Sequence, residues 1–305
     1  MKIKTKRSKR KLGLPAAILL CSLFFLGGLY SSTFISNDVP VIKPRLRMLE
    51  VAEVDHDAMP HGDTGEAFIE SIPFQEGFEL CDSELVRGSC YAVWFQVLSW
   101  KPRALYFPNF ATPEQCESII KMAKSKLKPS TLALRKGETT ESTKGTRTSS
   151  GTFIGGSEDK TGTLDFIERK IAKATMIPQS HGEAFNILRY EIGQKYDSHY
   201  DAFNPDEYGP QPSQRVASFL LYLSSVEEGG ETMFPFENGS AVSSGFEYKQ
   251  CVGLKVKPRQ GDGLLFYSLF PNGTIDRTSL HGSCPVIKGE KWVATKWIRD
   301  QMELD

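Results

Sequence analysis

The chain lacks an excess of either charge, any closely paired cysteines, any internal repeat and any second long apolar run. Each lack narrows the function. Basic and acidic residues both number 37 in 305, so the formal net charge is zero. Without a strong field of one sign, nucleic acid is not an expected partner. None of the six cysteines forms a Cys-x-x-Cys pair, which argues against a cysteine zinc site. No repeat points to a solenoid or propeller. Hydrophobic residues at 40% and charged residues at 24% are ordinary for a globular protein, and the length suits one large domain or two small ones.

The single long apolar run lies at the start. Lys2, Lys4, Lys6, Arg7, Lys9, Arg10 and Lys11 come first with no acid among them, and no charge follows from Leu12 to Ile35. The run is long enough to cross a hydrocarbon core, and the basic flank belongs on the cytoplasmic side. The expected topology is a cytoplasmic tail over 1–13, a transmembrane signal anchor over 14–35 and a luminal remainder. That topology would make it a type II protein, expected in the endoplasmic reticulum or Golgi. A cleaved signal peptide is the alternative, disfavoured by the length of the run and the lack of a clear small-residue cleavage site. Cys21 then sits in the span, and Cys81, Cys90, Cys116, Cys251 and Cys284 face an oxidising compartment, where an odd number leaves at least one thiol unpaired within the chain. Asn238 (NGS) and Asn272 (NGT) become candidate glycan acceptors.

Residues 36–90 are polar, acidic and weakly patterned, and are expected to form a luminal stem. The folded domain is expected over 91–305. AVWFQVLSWKPRALYFPNF has strand composition. TPEQCESIIKMAKSKL has helical spacing, with Thr112 as N-cap and Pro113 in the first turn. KGETTESTKGTRTSSGTF reads as a polar loop, and KTGTLDFIERKIAKATMI as a second helix ended by Pro178. Short β-rich segments separated by turns fill the rest. This predicts an α+β, mainly β fold: a double-sheet barrel or jelly roll with supporting helices.

His-x-Asp occurs twice, as HGD at His61–Asp63 and within YDSHYD at His199–Asp201. In an extended segment the second copy directs both side chains to one face. The first has a central glycine and no strand around it, and reads as stem composition. A ferrous site with open positions needs a second histidine. His56, His61, His181 and His281 are the candidates, and His281 lies where an opposite strand could return to the pair. Lys291 follows ten residues later, at the start of KWVATKWIRD. If it faces the same interior it needs an anion, and a dicarboxylate cosubstrate would supply one.

These residues and their surroundings carry a resemblance. GTRTSSGTFI, LRYEIGQKYDSHYDAF, RVASFLLYLSSVEEGGETMFP, LKVKPRQGDGLLFYS and LHGSCPVIKGEKWVATKWI resemble the plant-type prolyl 4-hydroxylases, which are iron(II)- and 2-oxoglutarate-dependent dioxygenases. The resemblance covers about 92–299. It implies a double-stranded β-helix, with iron on His199, Asp201 and His281. It implies 2-oxoglutarate on Lys291, with Tyr190 and Thr232 beside it. Arg147, Ser149, Glu183, Tyr196, Arg215 and Trp297 match peptide-groove or active-site positions. It also implies 4-hydroxylation of proline-rich chains, such as extensin-like or arabinogalactan-like proteins, with O2 consumed, succinate formed and ascorbate as rescuing reductant. Cys251 and Cys284 match places where relatives can carry a disulfide. A Cys81–Cys90 bridge and a buried Cys116 thiol are further expectations.

Two other classes stay open on residues alone. A luminal glycosyltransferase would use a D-x-D such as Asp55–Asp57, but that motif lies in the stem with no nucleotide-binding βαβ pattern. A non-catalytic binder of proline-rich chains would not need both the triad and Lys291.

Overall fold

A computed structural model describes residues 73–81, 90–239 and 250–302. The expected tail and anchor over 1–35 and the stem up to residue 72, with His61, Asp63 and Asp55–Asp57, lie outside the described residues. No described helix is long and apolar enough to cross a membrane.

The described residues form fifteen strands: β1 (Gln75–Cys81), β2 (Cys90–Trp100), β3 (Arg103–Phe107), β4 (Lys128–Pro129), β5 (Ser150–Ile154), β6 (Phe185–Tyr190), β7 (Tyr196–His199), β8 (Arg215–Tyr222), β9 (Glu228–Gly229), β10 (Thr232–Phe234), β11 (Leu254–Val256), β12 (Gly263–Tyr267), β13 (His281–Ser283), β14 (Val286–Lys288) and β15 (Lys291–Arg299). Nine form a large sheet in the order β1-β2-β3-β12-β8-β15-β6-β5-β4, and four form a smaller sheet in the order β11-β10-β13-β7. This is the expected mainly β, jelly-roll architecture with few helices.

Two boundaries differ from expectation. The stem does not extend to residue 90, because Gln75–Cys81 is a strand paired with β2, its Cys81 directly opposite Cys90 in the register. QEGFELC has two acids and a glycine in seven residues, so its composition hides a strand that pairing with β2 creates. The polar loop ends earlier than expected too, since Ser150–Ile154 is β5, antiparallel to β6.

The central strands are buried on both faces, which is why they read as continuous apolar runs rather than alternating ones. Ile187, Phe219, Leu221, Leu265 and Ala294 face one apolar cluster, which also holds Phe110, Ile119 and Ile167 from the helical side. Their neighbours Leu188, Leu220, Tyr222, Leu264 and Val293 face a second cluster with Phe234 and Val256 of the smaller sheet. On β15 the inner set includes Val293, so Lys291 and Trp297 share the parity that points between the sheets.

Helix α1 (Pro113–Lys124) starts as the sequence predicts. The Thr112 side chain accepts from the Gln115 N–H, and Gln115 answers with its own side chain on the Thr112 N–H. It buries Cys116, Ile119 and Ala123. Cys116 is a buried free thiol, as expected, and burial pushes its pKa up to about 11. Helix α2 (Thr163–Thr175) buries Leu164, Ile167 and Ile171, and ends at Met176 in a left-handed conformation (φ 59°) two residues before Pro178.

Candidate metal centre and substrate groove

Strands β7 and β13 pair so that His199 and His281 stand opposite one another. The approach is close at Gly282, where a Cβ would come within 2.9 Å of Met233 Cε and 3.0 Å of the Tyr196 carbonyl. A side chain there would push β13 away from its neighbours. Asp201 lies two residues past His199 in a bend rather than in the strand itself. Its carboxylate still reaches the pair: Oδ1 is 3.5 Å from His199 Nε2 and Oδ2 is 3.6 Å from His281 Nε2.

The donor set fits one divalent cation. His199 Nδ1 is 2.9 Å from the Asp197 carbonyl, and His281 Nδ1 is 3.0 Å from the Ser279 carbonyl. A carbonyl only accepts, so in each ring Nδ1 carries a proton, and in the neutral tautomer that this selects Nε2 presents a lone pair. Burial keeps His281 neutral, pushing its pKa down to about 4. Burial opposes ionisation of Asp201, but His281, His199 and Arg215 hold its carboxyl below the usual range. Ser218 Oγ donates to Asp201 Oδ2 at 2.5 Å. Two lone pairs and an anion therefore converge within 4.8 Å, an arrangement that repels itself unless a cation lies at its centre. Glu231, Cys251 and Cys284 also cluster, but both sulfurs are consumed in a disulfide.

Lys291 shares a pocket with these residues. It is 1% exposed. Its ammonium donates to Ser283 Oγ at 2.9 Å and lies 5.4 Å and 5.8 Å from the rings of Tyr190 and Tyr222. No carboxylate forms a salt bridge with it among the described residues. Burial lowers its pKa to about 7. A buried cation without a counter-ion is costly, and a bound carboxylate would remove that cost. Tyr190 lies directly across from Lys291 in the β6–β15 register. Thr232 is buried in the same pocket, its hydroxyl accepting from Tyr222 at 2.8 Å.

A longer groove opens from the triad. The Tyr196 ring stacks on His199 with centroids 3.6 Å apart, and the Arg147 guanidinium lies 4.7 Å from the Tyr196 ring. Arg147 also donates to Ser149 Oγ, which reaches Ser130. Arg215 lies 3.7 Å over the face of Trp297. The structure brings Arg147, Tyr196, Arg215 and Trp297 to the groove wall. Ser149 stands one layer behind and Glu183 supports from beneath. Glu183 receives a bidentate pair from Arg215, both bonds at 2.7 Å, and a third bond from Arg299 at 2.8 Å. Sequence reasoning missed Ser218, Ser283, Tyr222 and Arg299, whose types and spacings carry no signal without the strand register.

Cys251 and Cys284 form a disulfide with Cα atoms 5.4 Å apart. Cys284 follows β13 directly, so the bond braces the strand that carries His281. Asn238 and Asn272 are both exposed. His181, the remaining candidate histidine, contacts the Arg299 carbonyl instead of the triad.

Comparison with known proteins shows the family. The model of the 2OG-Fe(II) oxygenase superfamily matches residues 185–299. A probable prolyl 4-hydroxylase 9 of Arabidopsis thaliana is 68% identical over 99% of both chains. Prolyl 4-hydroxylase 13 of the same plant is 68% identical over 68% of this chain and 74% of its own length. Among solved structures, a viral collagen prolyl hydroxylase from Paramecium bursaria Chlorella virus-1, in complex with 2OG, is 26% identical, covering 64% of this chain and 95% of its own, with a TM-score of 0.47. The chain belongs to the prolyl 4-hydroxylases of the 2OG-Fe(II) oxygenase superfamily.

Proposed function

We infer that this protein converts peptidyl proline to 4-hydroxyproline, coupled to oxidative decarboxylation of 2-oxoglutarate to succinate with Fe(II) and O2. One observation carries the reading: the His199–Asp201–His281 face and the buried Lys291, which forms no salt bridge among the described residues, line one pocket at the inner end of an aromatic groove. The relatives named prolyl 4-hydroxylases support the same chemistry.

The triad would hold iron through two neutral Nε2 atoms and an ionised Asp201, leaving the remaining positions open. Iron, when bound, supplies the oxidising chemistry together with 2-oxoglutarate and O2. Everything else is positioning. Ser218 fixes the orientation of Asp201, and the Asp197 and Ser279 carbonyls fix the two imidazole tautomers. Lys291, with Ser283, would hold the far carboxylate of 2-oxoglutarate, and Tyr190 and Thr232 would line its stem. Leu188, Leu220 and Val293 keep that pocket apolar and exclude water. Tyr196, Arg147 and Trp297 would hold the proline-containing chain across the open face of the site.

Several finer points belong to the same reading. Ascorbate is the expected reductant for uncoupled turnovers. Extensin-like or arabinogalactan-like chains are the expected substrates, since they are proline-rich and preformed in polyproline II. The basic-then-apolar N-terminus supports a type II anchor in the endoplasmic reticulum or Golgi. Resistance to alkaline carbonate extraction, lost on deletion of 14–35, tests the anchor. An endoglycosidase mobility shift lost in Asn238→Gln or Asn272→Gln tests the glycans.

The enzyme reading is tested with the full-length protein, Fe(II), 2-oxoglutarate, ascorbate and a polyproline or extensin-like peptide. Hydroxyproline and succinate should form together. Folded protein that yields neither would sink the reading, and turnover of a nucleotide sugar would favour the transferase.

A further inference from the structure

Phe270 leaves an apolar ring in water, 44% exposed, in the turn that follows β12. Two backbone bonds close that turn. The Gly273 N–H donates to the Phe270 carbonyl, and the Phe270 N–H donates to the Thr274 carbonyl, both at 2.9 Å. Leu269 and Ile275 bridge just outside, and Gly273 has φ 81°. This is a three-residue hairpin loop built as a type I turn with a glycine bulge, and Pro271 pre-sets its first φ.

The turn places three side chains together. Phe270 and Thr274 are the pair next to Leu269 and Ile275, so their side chains share one face. Asn272 joins that face, because its Oδ1 accepts from the Thr274 hydroxyl at 2.7 Å and from the Thr274 N–H at 3.1 Å. Both bonds use the oxygen, and the amide nitrogen has no partner among the described residues. Asn272 opens the NGT acceptor sequence, so a sugar on that nitrogen would rise beside the phenyl ring. N-Acetylglucosamine has one face of C–H groups, which packs on an aromatic ring by dispersion and loss of water. Asn238 makes the contrast. It also follows a phenylalanine by two residues, but its own φ is 55° and its N–H donates to the Lys101 carbonyl at 2.6 Å. Its turn is therefore of another kind, and Phe236 there is half-buried.

We propose that Phe270 is the platform for the first N-acetylglucosamine of a glycan on Asn272. The bond forms between the Asn272 amide nitrogen and C1 of the sugar. The donor is a lipid-linked oligosaccharide diphosphate, the lipid diphosphate leaves, and the amide proton is released. The sugar covers the exposed ring and locks the hairpin that leads into Ser279 and His281. This deepens the luminal, glycosylated reading and rests on it.

The test uses full-length protein in detergent, made in a eukaryotic host that adds high-mannose glycans. Peptide mass spectrometry reads occupancy at both asparagines. Asn272→Gln should lower the midpoint of thermal unfolding by about 2–4 °C, and by less than about 1 °C when Phe270→Ala is already present. Phe270→Tyr should keep the full difference. Trimming to a single N-acetylglucosamine should keep the midpoint, and removing that last sugar should lose it. Asn238→Gln should show no such dependence on Phe270. A loss in Asn272→Gln that is equally large with Phe270→Ala overturns the proposal. So does a bare Asn272 in protein whose Asn238 is glycosylated. If both asparagines are bare, the luminal reading fails and the proposal falls with it.

Discussion

The Lys291 ammonium donates to the Ser283 hydroxyl at 2.9 Å, joining the first residue of β15 to the last of β13. β13 also carries His281, so the buried ammonium and one imidazole of the triad are braced by one short strand. Lys291→Met should weaken 2-oxoglutarate binding by about 10- to 100-fold, the scale of a lost charged hydrogen bond. A cosubstrate titration with metal present reads this directly.

The same lysine should leave a pH signature. Burial lowers its pKa from 10.5 to about 7 in the folded protein. Between those values the unfolded chain keeps a proton that the folded chain releases, so this group makes stability rise with pH across that window. Thermal unfolding of the cosubstrate-free protein should show the rise, and Lys291→Met should lack it. Binding of 2-oxoglutarate at pH 8 should take up a proton in wild type and not in the variant. Calorimetry in buffers of different ionisation enthalpy measures that proton.

Ser218→Ala removes the donor to Asp201 while leaving His199, Asp201 and His281 in place. Loss of such outer contacts typically weakens metal binding by about 10- to 100-fold. Titration with Fe(II) or Mn(II) under anaerobic conditions checks it. Affinity equal to wild type would mean the hydroxyl does not orient the carboxylate.

Glu183→Ala should be severe for stability rather than chemistry. It strips the bidentate carboxylate from the partly buried Arg215 and takes one bond from Arg299, which keeps its bonds to Ser213, and breaking such a pair costs about 3–5 kcal/mol. Urea denaturation reads the loss. Glu183→Gln, which keeps some acceptor capacity, should lose less.

The two His-x-Asp copies should separate cleanly. His199→Ala should abolish hydroxylation and metal binding, while His61→Ala leaves both intact. Equal loss from both would assign the wrong copy to the iron.

What the sequence made legible follows from how its signals arise. His199 and Asp201 are close in sequence, and their spacing shows directly. His281 is one of only five histidines, and Lys291 opens the largely apolar run KWVATKWI, so both stand out at a distance. The Thr112 cap and the helix over 163–175 depend on local chemistry alone, and local chemistry is written in order along the chain. Ser218 is different. It becomes functional because the register of β8 and β15 sets it opposite Trp297 and beside Asp201, and a serine in RVASFLLY carries no mark of that. Arg299 is hidden in the same way. Strand β1 was missed because its stability comes from pairing with β2 rather than from its composition.

The pairing of His199 with His281 has a consequence for how the protein matures. Side chains alternate along a strand, so a slip of one residue between β7 and β13 would turn one imidazole out of the site. Only the correctly paired chain offers a complete ligand set. A cation held by this triad would therefore bind the right register and not its neighbours, and by mass action would favour the correctly paired smaller sheet.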